Sequence, residues 1–164
     1  MFKYTFLLFT LLINISVMGQ NGKASTVKKT FNRTTSISQT IAAEPTVIWN
    51  LLTDASNFAN WNSTIVSLEG EIKEGSKIKL KSTLDPKRTF KLKVKEMIPN
   101  QRLVWGDGMG KRTYTLEAQG DITLFTMTEK IGGFMFPLFA NKIPSFDESF
   151  EQFTSDLKKV AEAQ

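Results

Sequence analysis

The stretch AAEPTVIWNLLTDASNFANWN, residues 42–62, indicates how the chain folds. Pro45 suits the first turn of a helix, where the N–H group that proline lacks would have no intrahelical partner. Apolar residues then recur at helical spacing through residues 47–52, and a short polar run follows them. Beyond that run, Phe58 and Trp61 are spaced for a second short helix. The stretch therefore predicts two consecutive short helices that connect other elements.

On both sides of this connector the pattern changes to that of β-strands. Residues 27–41 are rich in Thr, Ser and Ile and predict one long strand. Lysine alternates with apolar side chains in the clearest of the later strands, which is typical of a strand with one wet and one buried face. Turn signals separate six strands, predicted at residues 64–68, 77–84, 88–96, 102–105, 111–118 and 122–130. Their short connections predict an antiparallel meander.

The chain ends in a predicted amphipathic helix that runs to about residue 163. Gly132 and Gly133 end the sheet before it, and Ser145 with Glu148 has the spacing of a capping box. The helix has one apolar stripe, made of Phe139, Ile143, Phe146, Phe150, Phe153, Leu157 and Val160. The economical packing for these strands and this helix is an α+β domain in which the helix lies across the apolar face of the sheet.

The order of elements, together with residues 42–62, resembles the START/SRPBCC superfamily, the polyketide cyclase/dehydrase and lipid-transport type of helix-grip domain. The matching features of its opening helix motif are the Ile48-Trp49 pair, Asp54 at the end of the helix and Trp61 shortly after. The resemblance covers about residues 27–163. It implies a sheet of about seven antiparallel strands curled around the C-terminal helix, and a cavity for a hydrophobic or amphipathic molecule. It implies no single activity, because the superfamily includes carriers, sensors and enzymes.

The first residues are typical of a secretory signal peptide. Lys3 precedes an apolar run over residues 4–15, and small residues follow up to Gly19. Cleavage after Gly19 would lower the formal charge from +5 to +4, because all 16 acidic residues lie beyond this point. The alternative is a retained membrane anchor, although the run is shorter than the ~20 residues that a spanning helix needs.

We therefore expect a signal peptide over residues 1–19, a flexible leader over residues 20–26 and one helix-grip domain over residues 27–164. An exported chain without cysteine has no disulfide, which favours a bacterial periplasm or exterior. The composition also excludes reaction classes. A chain with neither histidine nor cysteine has no Ser-His-Asp triad, no thiol nucleophile and none of the usual zinc sites. No metal or other cofactor is predicted.

Aromatic residues are the candidates for a ligand-binding cavity. The glycines and Pro137 near the start of the last helix permit movement there, so the nearby rings could form a wall or lid, and other rings could form the opposite wall. The candidate lining residues are Trp61, Phe90, Trp105, Tyr114, Met127, Phe134, Phe136, Phe139, Phe146 and Phe150. Each of them has an equally simple interpretation as ordinary core packing.

Three functions are open at this point. The first is a binding protein that holds a small hydrophobic or amphipathic molecule between the sheet and the last helix. The second is a cyclase- or dehydratase-like enzyme that uses the same cavity, with Tyr114, Arg112 and Glu129 as candidate catalytic groups, although solvated charges at strand ends explain the charged residues as simply. The third is a protein that binds anionic surfaces through a basic sheet face. That lysine face consists of Lys77, Lys79, Lys81, Lys91, Lys93 and Lys95. Nucleic acid is not an expected partner, since the chain also carries 16 acidic residues.

Overall fold

A computed structural model describes residues 21–164, so the predicted signal peptide over residues 1–19 lies outside the described residues. The strands are β1 (Ser25–Lys29), β2 (Asn32–Ile41), β3 (Ile65–Glu69), β4 (Lys77–Ser82), β5 (Asp85–Ile98), β6 (Arg102–Gly106), β7 (Gly110–Gln119) and β8 (Ile122–Gly132). The helices are α1 (Pro45–Thr53), α2 (Phe58–Trp61), α3 (Phe136–Phe139) and α4 (Asp147–Ala161). Short 3-10 turns at Ala55–Asn57 and Ala140–Lys142 join two pairs of helices.

The strands form one antiparallel sheet in the order β1-β2-β8-β7-β6-β5-β4-β3. The α+β helix-grip fold is confirmed, with eight strands where about seven were predicted. The difference arises because the predicted strand over residues 27–41 is a hairpin of β1 and β2, whose turn at residues 30–31 contains no glycine or proline to indicate it. Strand β1 also begins inside the predicted leader over residues 20–26, at Ser25.

Side-chain alternation decides which face of the sheet is covered. On β2 the inner side chains are buried, whereas the outer serines pair with threonines of β8 across the register. Ser36 lies 3.1 Å from Thr128 and Ser38 lies 2.8 Å from Thr126, in each case between the hydroxyl oxygens. Cross-strand hydroxyl pairs of this kind stabilise a wet sheet face. They explain why strands so rich in Ser and Thr still have a defined inside.

The predicted connector is confirmed as α1 and α2. Pro45 occupies the first turn of α1, and Ile48, Leu51 and Leu52 are buried against the core. After α1, the Asp54 carboxylate accepts hydrogen bonds from the backbone N–H of Asn57 at 3.3 Å and from the Ser56 hydroxyl at 2.6 Å. This local network ends one helix and starts the next turn, so that α2 follows without a long loop.

The predicted capping box is wrong, because α4 begins one residue later than it requires. Phe146 is the N-cap residue and no side chain caps the helix there. The Ser145 hydroxyl only accepts a hydrogen bond of 3.4 Å from the Asp147 N–H and donates one of 3.1 Å to its carboxylate. Phe139 belongs to the separate helix α3, so the apolar stripe predicted for one helix is divided between two.

Hydrogen bonds hold helix α4 in place on two of its sides. On the β1–β2 side, the Ala24 N–H donates to Glu151 at 3.1 Å and the Lys158 ammonium donates to the Thr40 carbonyl at 3.1 Å. On the α2 side, the Asn62 amide donates to the Phe153 carbonyl at 3.3 Å. Further bonds join Thr26 to Asp147, Ala42 to Glu162 and Ser63 to Asp156. The helix therefore has a fixed position across the sheet.

Between these edges, Phe153 lies at the centre of an aromatic core. Its ring centroid is 5.7 Å from that of Trp61, 6.1 Å from that of Phe58 and 5.8 Å from that of Tyr114. It also stacks on Phe125 at 6.5 Å. One side chain of α4 thus contacts α2 and two central strands of the sheet, in distances and orientations that favour aromatic pairs.

We expect Phe153→Ala to lower the free energy of unfolding by about 3–5 kcal/mol, because the change leaves a cavity among four rings. The matched control is Phe134→Ala, which truncates a phenylalanine that is 86% exposed and should alter stability by less than about 0.5 kcal/mol. Urea unfolding followed by circular dichroism measures both. Equal effects of the two substitutions would contradict the central role of Phe153.

Candidate functional site

Five of the predicted lining residues lie in the core. Trp61, Trp105, Tyr114, Met127 and Phe150 are all buried. Trp105 meets Tyr114 edge to face at 5.2 Å between ring centroids, and Tyr114 stacks on Phe125 at 6.0 Å. These rings occupy the centre of the interface between α4 and the sheet, where the sequence predicts a cavity.

The other predicted lining residues lie further out. Phe136 is buried and meets Phe139 edge to face at 5.7 Å within α3, and Phe146 stacks on Phe150 at 6.0 Å at the start of α4. Phe134 is almost fully exposed. Phe90 is half-buried on β5, where the Arg88 guanidinium lies 4.6 Å from its ring centroid. The structure therefore gathers most of these phenylalanines around α3 and the start of α4, and leaves Phe90 apart from them.

The predicted catalytic groups lie together at this same end of the sheet. Arg112 on β7 is the direct register partner of Glu129 on β8, and its Nε donates to Glu129 Oε2 at 2.6 Å. The two side chains are only 15% and 13% exposed. The Arg112 guanidinium also lies 5.3 Å from the centroid of the Phe150 ring. The first turns of α4 therefore cover a buried ion pair.

Tyr114 lies two residues beyond Arg112 on the same face of β7. Its hydroxyl is buried, and within residues 21–164 no group meets it with hydrogen-bond geometry, although the Arg112 guanidinium lies near it. Burial raises the pKa of Tyr114 to about 12, although the nearby Arg112 charge acts in the opposite direction. The hydroxyl is therefore a neutral hydrogen-bond donor at physiological pH. The ion pair raises the pKa of Arg112 despite its burial, so this guanidinium keeps its charge.

Arg33 is a site residue that the sequence reasoning missed. It lies on β2, is buried, and donates to the carbonyls of Ile143 at 3.2 Å and Pro144 at 2.7 Å. Its guanidinium stacks over Phe146 at 4.7 Å from the ring centroid. Burial lowers the pKa of Arg33, and the Asp147 and Glu129 carboxylates oppose that shift. The even spacing of Arg33 from the buried Ile37 could have placed it on the inner face.

A surface depression lies beside Arg33, which is itself near the polar cluster of Arg112, Glu129 and Tyr114. It has a volume of about 560 Å³, and Arg33 and Phe136 form part of its wall. The remaining lining residues are Thr26, Lys28, Lys29, Thr30, Ala140, Asn141, Ile143, Ser145 and Asp147. At this depression, Arg33 and Phe136 of α3 lie next to solvent.

The family model described as Activator of Hsp90 ATPase homolog 1-like protein matches residues 42–162. The chain belongs to this family. No curated protein sequence matches it.

Solved structures resemble the fold of this family member at low sequence identity. A START superfamily protein from Mycobacterium smegmatis is 17% identical, with a TM-score of 0.59 over 79% of this chain and 97% of that chain. CalU16 from Micromonospora echinospora is 18% identical, with a TM-score of 0.62 over 88% and 76% of the two chains. A conserved protein of unknown function from Enterococcus faecalis, EF2215, is 18% identical, with a TM-score of 0.63 over 85% and 77%. Together with the family match over residues 42–162, this shared fold confirms the predicted resemblance to the START/SRPBCC superfamily.

We expect Arg112→Met to lower the free energy of unfolding by about 3–5 kcal/mol, because it leaves the Glu129 carboxylate buried without its cation. The double variant Arg112→Met/Glu129→Leu should recover most of this loss, since it removes both charges. A double-mutant cycle in urea measures the coupling. Additive losses in the double variant would show that the pair is not coupled in the way its geometry indicates.

The Tyr114 phenol should ionise at about pH 12, since burial disfavours the phenolate. Because the unfolded chain loses this proton near its usual pKa of about 10, the contribution to stability is complete below pH 10 and is lost as the pH rises towards 12. The difference in ultraviolet absorbance between the wild type and Tyr114→Phe isolates this group from Tyr4. Ionisation near pH 10 in a folded protein would contradict the burial of the hydroxyl.

Proposed function

We propose that this protein binds a small amphipathic molecule, which places a polar oxygen at Tyr114 and Arg112 and its hydrocarbon part against the phenylalanines of α3 and α4. The observation that carries the proposal is the buried Tyr114 hydroxyl without a hydrogen-bond partner. A buried polar group left unpaired costs about 1–3 kcal/mol, and such groups are few in native proteins. An acceptor oxygen of a ligand would remove that cost.

The charges of the site define the chemistry of the polar end. The neutral Tyr114 hydroxyl can donate a hydrogen bond to a ligand. The Arg112 guanidinium keeps its positive charge, and its Nε donates to Glu129. Both groups therefore favour an oxygen acceptor, such as a carbonyl, a carboxylate or an ether. A ligand with a protonated amine at this end would lie beside the Arg112 cation, which disfavours it.

The apolar part of the ligand would lie where α3 meets the start of α4. Phe136 lines the depression, Phe146 stacks on Phe150, and the Phe150 ring covers the Arg112 guanidinium. Arg33 holds the segment between α3 and α4 by donating hydrogen bonds to the carbonyls of Ile143 and Pro144. Access to Tyr114 would then require movement of residues 133–146 rather than of the fastened helix α4. Trp61, Phe90, Trp105 and Met127 would contact a ligand only after the core or β5 had rearranged.

The second candidate is a cyclase- or dehydratase-like enzyme that uses Tyr114, Arg112 and Glu129. The observation in its favour is that three ionisable side chains are buried together. General acid–base catalysis works best when the pKa of the catalytic group lies near the working pH. The pKa of Tyr114, raised to about 12, lies far above neutral pH, so the phenol is better suited to orienting a ligand than to transferring a proton. Binding is therefore the function we propose.

Native mass spectrometry of the protein isolated from its own host tests the proposal. We expect a non-covalent adduct that organic extraction releases, because a site with an unpaired buried donor should retain its ligand. The intact mass of the same preparation reports whether residues 1–19 are removed, as export to the periplasm or exterior would require.

Two variants make this experiment specific. Tyr114→Phe removes only the hydroxyl and should lose the adduct while it keeps its thermal stability. The matched control is Trp61→Phe, which removes Trp61 Nε1, another buried donor without a partner, away from the polar cluster and should keep the adduct. Wild-type protein without any adduct, or an adduct that both variants retain equally, would contradict the proposed function.

A further inference from the structure

Three loops at one end of the sheet present an exposed apolar surface. We call it the tip patch and define it as Phe31, Met109, Phe134, Met135 and Leu138. All five side chains are about half exposed or more, and Phe134 and Leu138 are 86% and 71% exposed. Single exposed apolar residues are ordinary, whereas a group of large ones marks an interaction site.

Contacts between the loops hold the tip patch together. The rings of Phe31 and Phe134 stack with centroids 6.5 Å apart and an angle of 8° between their planes. The Gly133 N–H donates to the Phe31 carbonyl at 3.0 Å, and the Gly132 N–H donates to the Met109 carbonyl at 3.0 Å. In α3, Phe136 is buried while Leu138 is exposed. The structure thus keeps these side chains in solvent instead of folding them inward.

Lysines surround the tip patch. Lys95, Lys111 and Lys130 share a depression of about 550 Å³ with Phe31, Met109 and Phe134. Lys28 and Lys29 line the depression on the α3 side. Within residues 21–164, none of these five lysines forms an ion pair with a carboxylate. Their charges are therefore available to a partner.

The nearby carboxylates offset only part of this charge, because Asp107 and Asp147 line the same two depressions as the five lysines. Asp107 accepts hydrogen bonds from the N–H groups of Met109 at 2.7 Å and Gly110 at 2.6 Å. Asp147 accepts from Thr26 and Ser145. The end of the molecule is consequently apolar at its most exposed side chains and basic around them.

We propose that the tip patch docks on the surface of an anionic lipid bilayer. The exposed rings would enter the interfacial region, and the lysines would lie against the phosphates. A modest apolar insertion and a basic cluster together give stable but reversible membrane attachment. A second copy of the chain is a poorer occupant, because a symmetric contact would bring the same lysines of both copies together.

Flotation with vesicles tests the apolar part of the surface, with protein as isolated from its host. We expect binding to vesicles of phosphatidylcholine with phosphatidylglycerol, weakened by added salt, and little binding to phosphatidylcholine alone. The double variant Phe134→Ser/Leu138→Ser should weaken binding by about tenfold or more, with an unchanged melting temperature. The matched control Val66→Ser/Ile98→Ser changes exposed apolar residues elsewhere and should bind like the wild type.

Two matched lysine pairs test the charge. Lys111 and Lys130 are direct register partners at the tip, and Lys79 and Lys91 are direct partners on the lysine face of β4 and β5. Reversal of the tip pair, Lys111→Glu/Lys130→Glu, should reduce binding about tenfold or more, whereas Lys79→Glu/Lys91→Glu should leave it near the wild-type level. Tyr114→Phe should also bind vesicles normally, which separates this proposal from the proposed ligand site.

Three results would overturn the docking proposal. The first is equal loss of binding from both lysine pairs, which indicates general electrostatic attraction. The second is unchanged binding of Phe134→Ser/Leu138→Ser. The third is self-association in light scattering that this same variant abolishes, which would assign the tip patch to a second copy of the chain.

Discussion

Phe153 connects the C-terminal helix to the rest of the molecule. Its ring touches rings from α2 and from two central strands, while hydrogen bonds along both edges of α4 keep the helix above them. With α4 fixed in this way, the space beneath its middle turns is filled by aromatic side chains. Access for the proposed ligand would consequently lie at the end of the sheet where α3 and the chain before α4 form the cover.

The fixed position of α4 explains why the polar cluster is buried. Arg112, Glu129 and Tyr114 lie on the inner face of β7 and β8, beneath the first turns of α4, where water is largely excluded. In such an environment the ion pair has strong internal attraction and the unpaired hydroxyl is costly. Arg33 connects this cluster to the cover through two carbonyls. Phe134, Met135 and Leu138 of the tip patch belong to the same cover, so a docked bilayer would lie beside the proposed route of an amphipathic molecule to Tyr114.

Much of the fold could be predicted from the sequence because it is encoded locally. The alternation of lysine with apolar residues located β4 and β5, and Pro45 marked the start of α1. The β1–β2 turn was missed because Thr30 and Phe31 carry no turn signal. The capping box was predicted wrongly because its spacing cannot show that the helix begins one residue later.

The site was less accessible to sequence reasoning, for a physical reason. A phenylalanine that packs in a core and one that lines a cavity have the same chemistry, so the pattern alone could not separate Phe150 from Phe134. The structure places the first on the buried face of α4 and the second in solvent. The Arg112–Glu129 pair needed the register of β7 and β8, and Arg33 needed the path of the chain before α4. Both depend on contacts between residues distant in sequence.

The most direct measurement is a high-resolution crystal structure of the protein isolated from its own host without extraction. The account predicts electron density for a non-protein molecule with an oxygen at hydrogen-bond distance from Tyr114 Oη, and displacement of residues 133–146 with α4 in place. A structure in which that hydroxyl bonds only to protein or to a single water, with no other molecule beside it, would contradict the account.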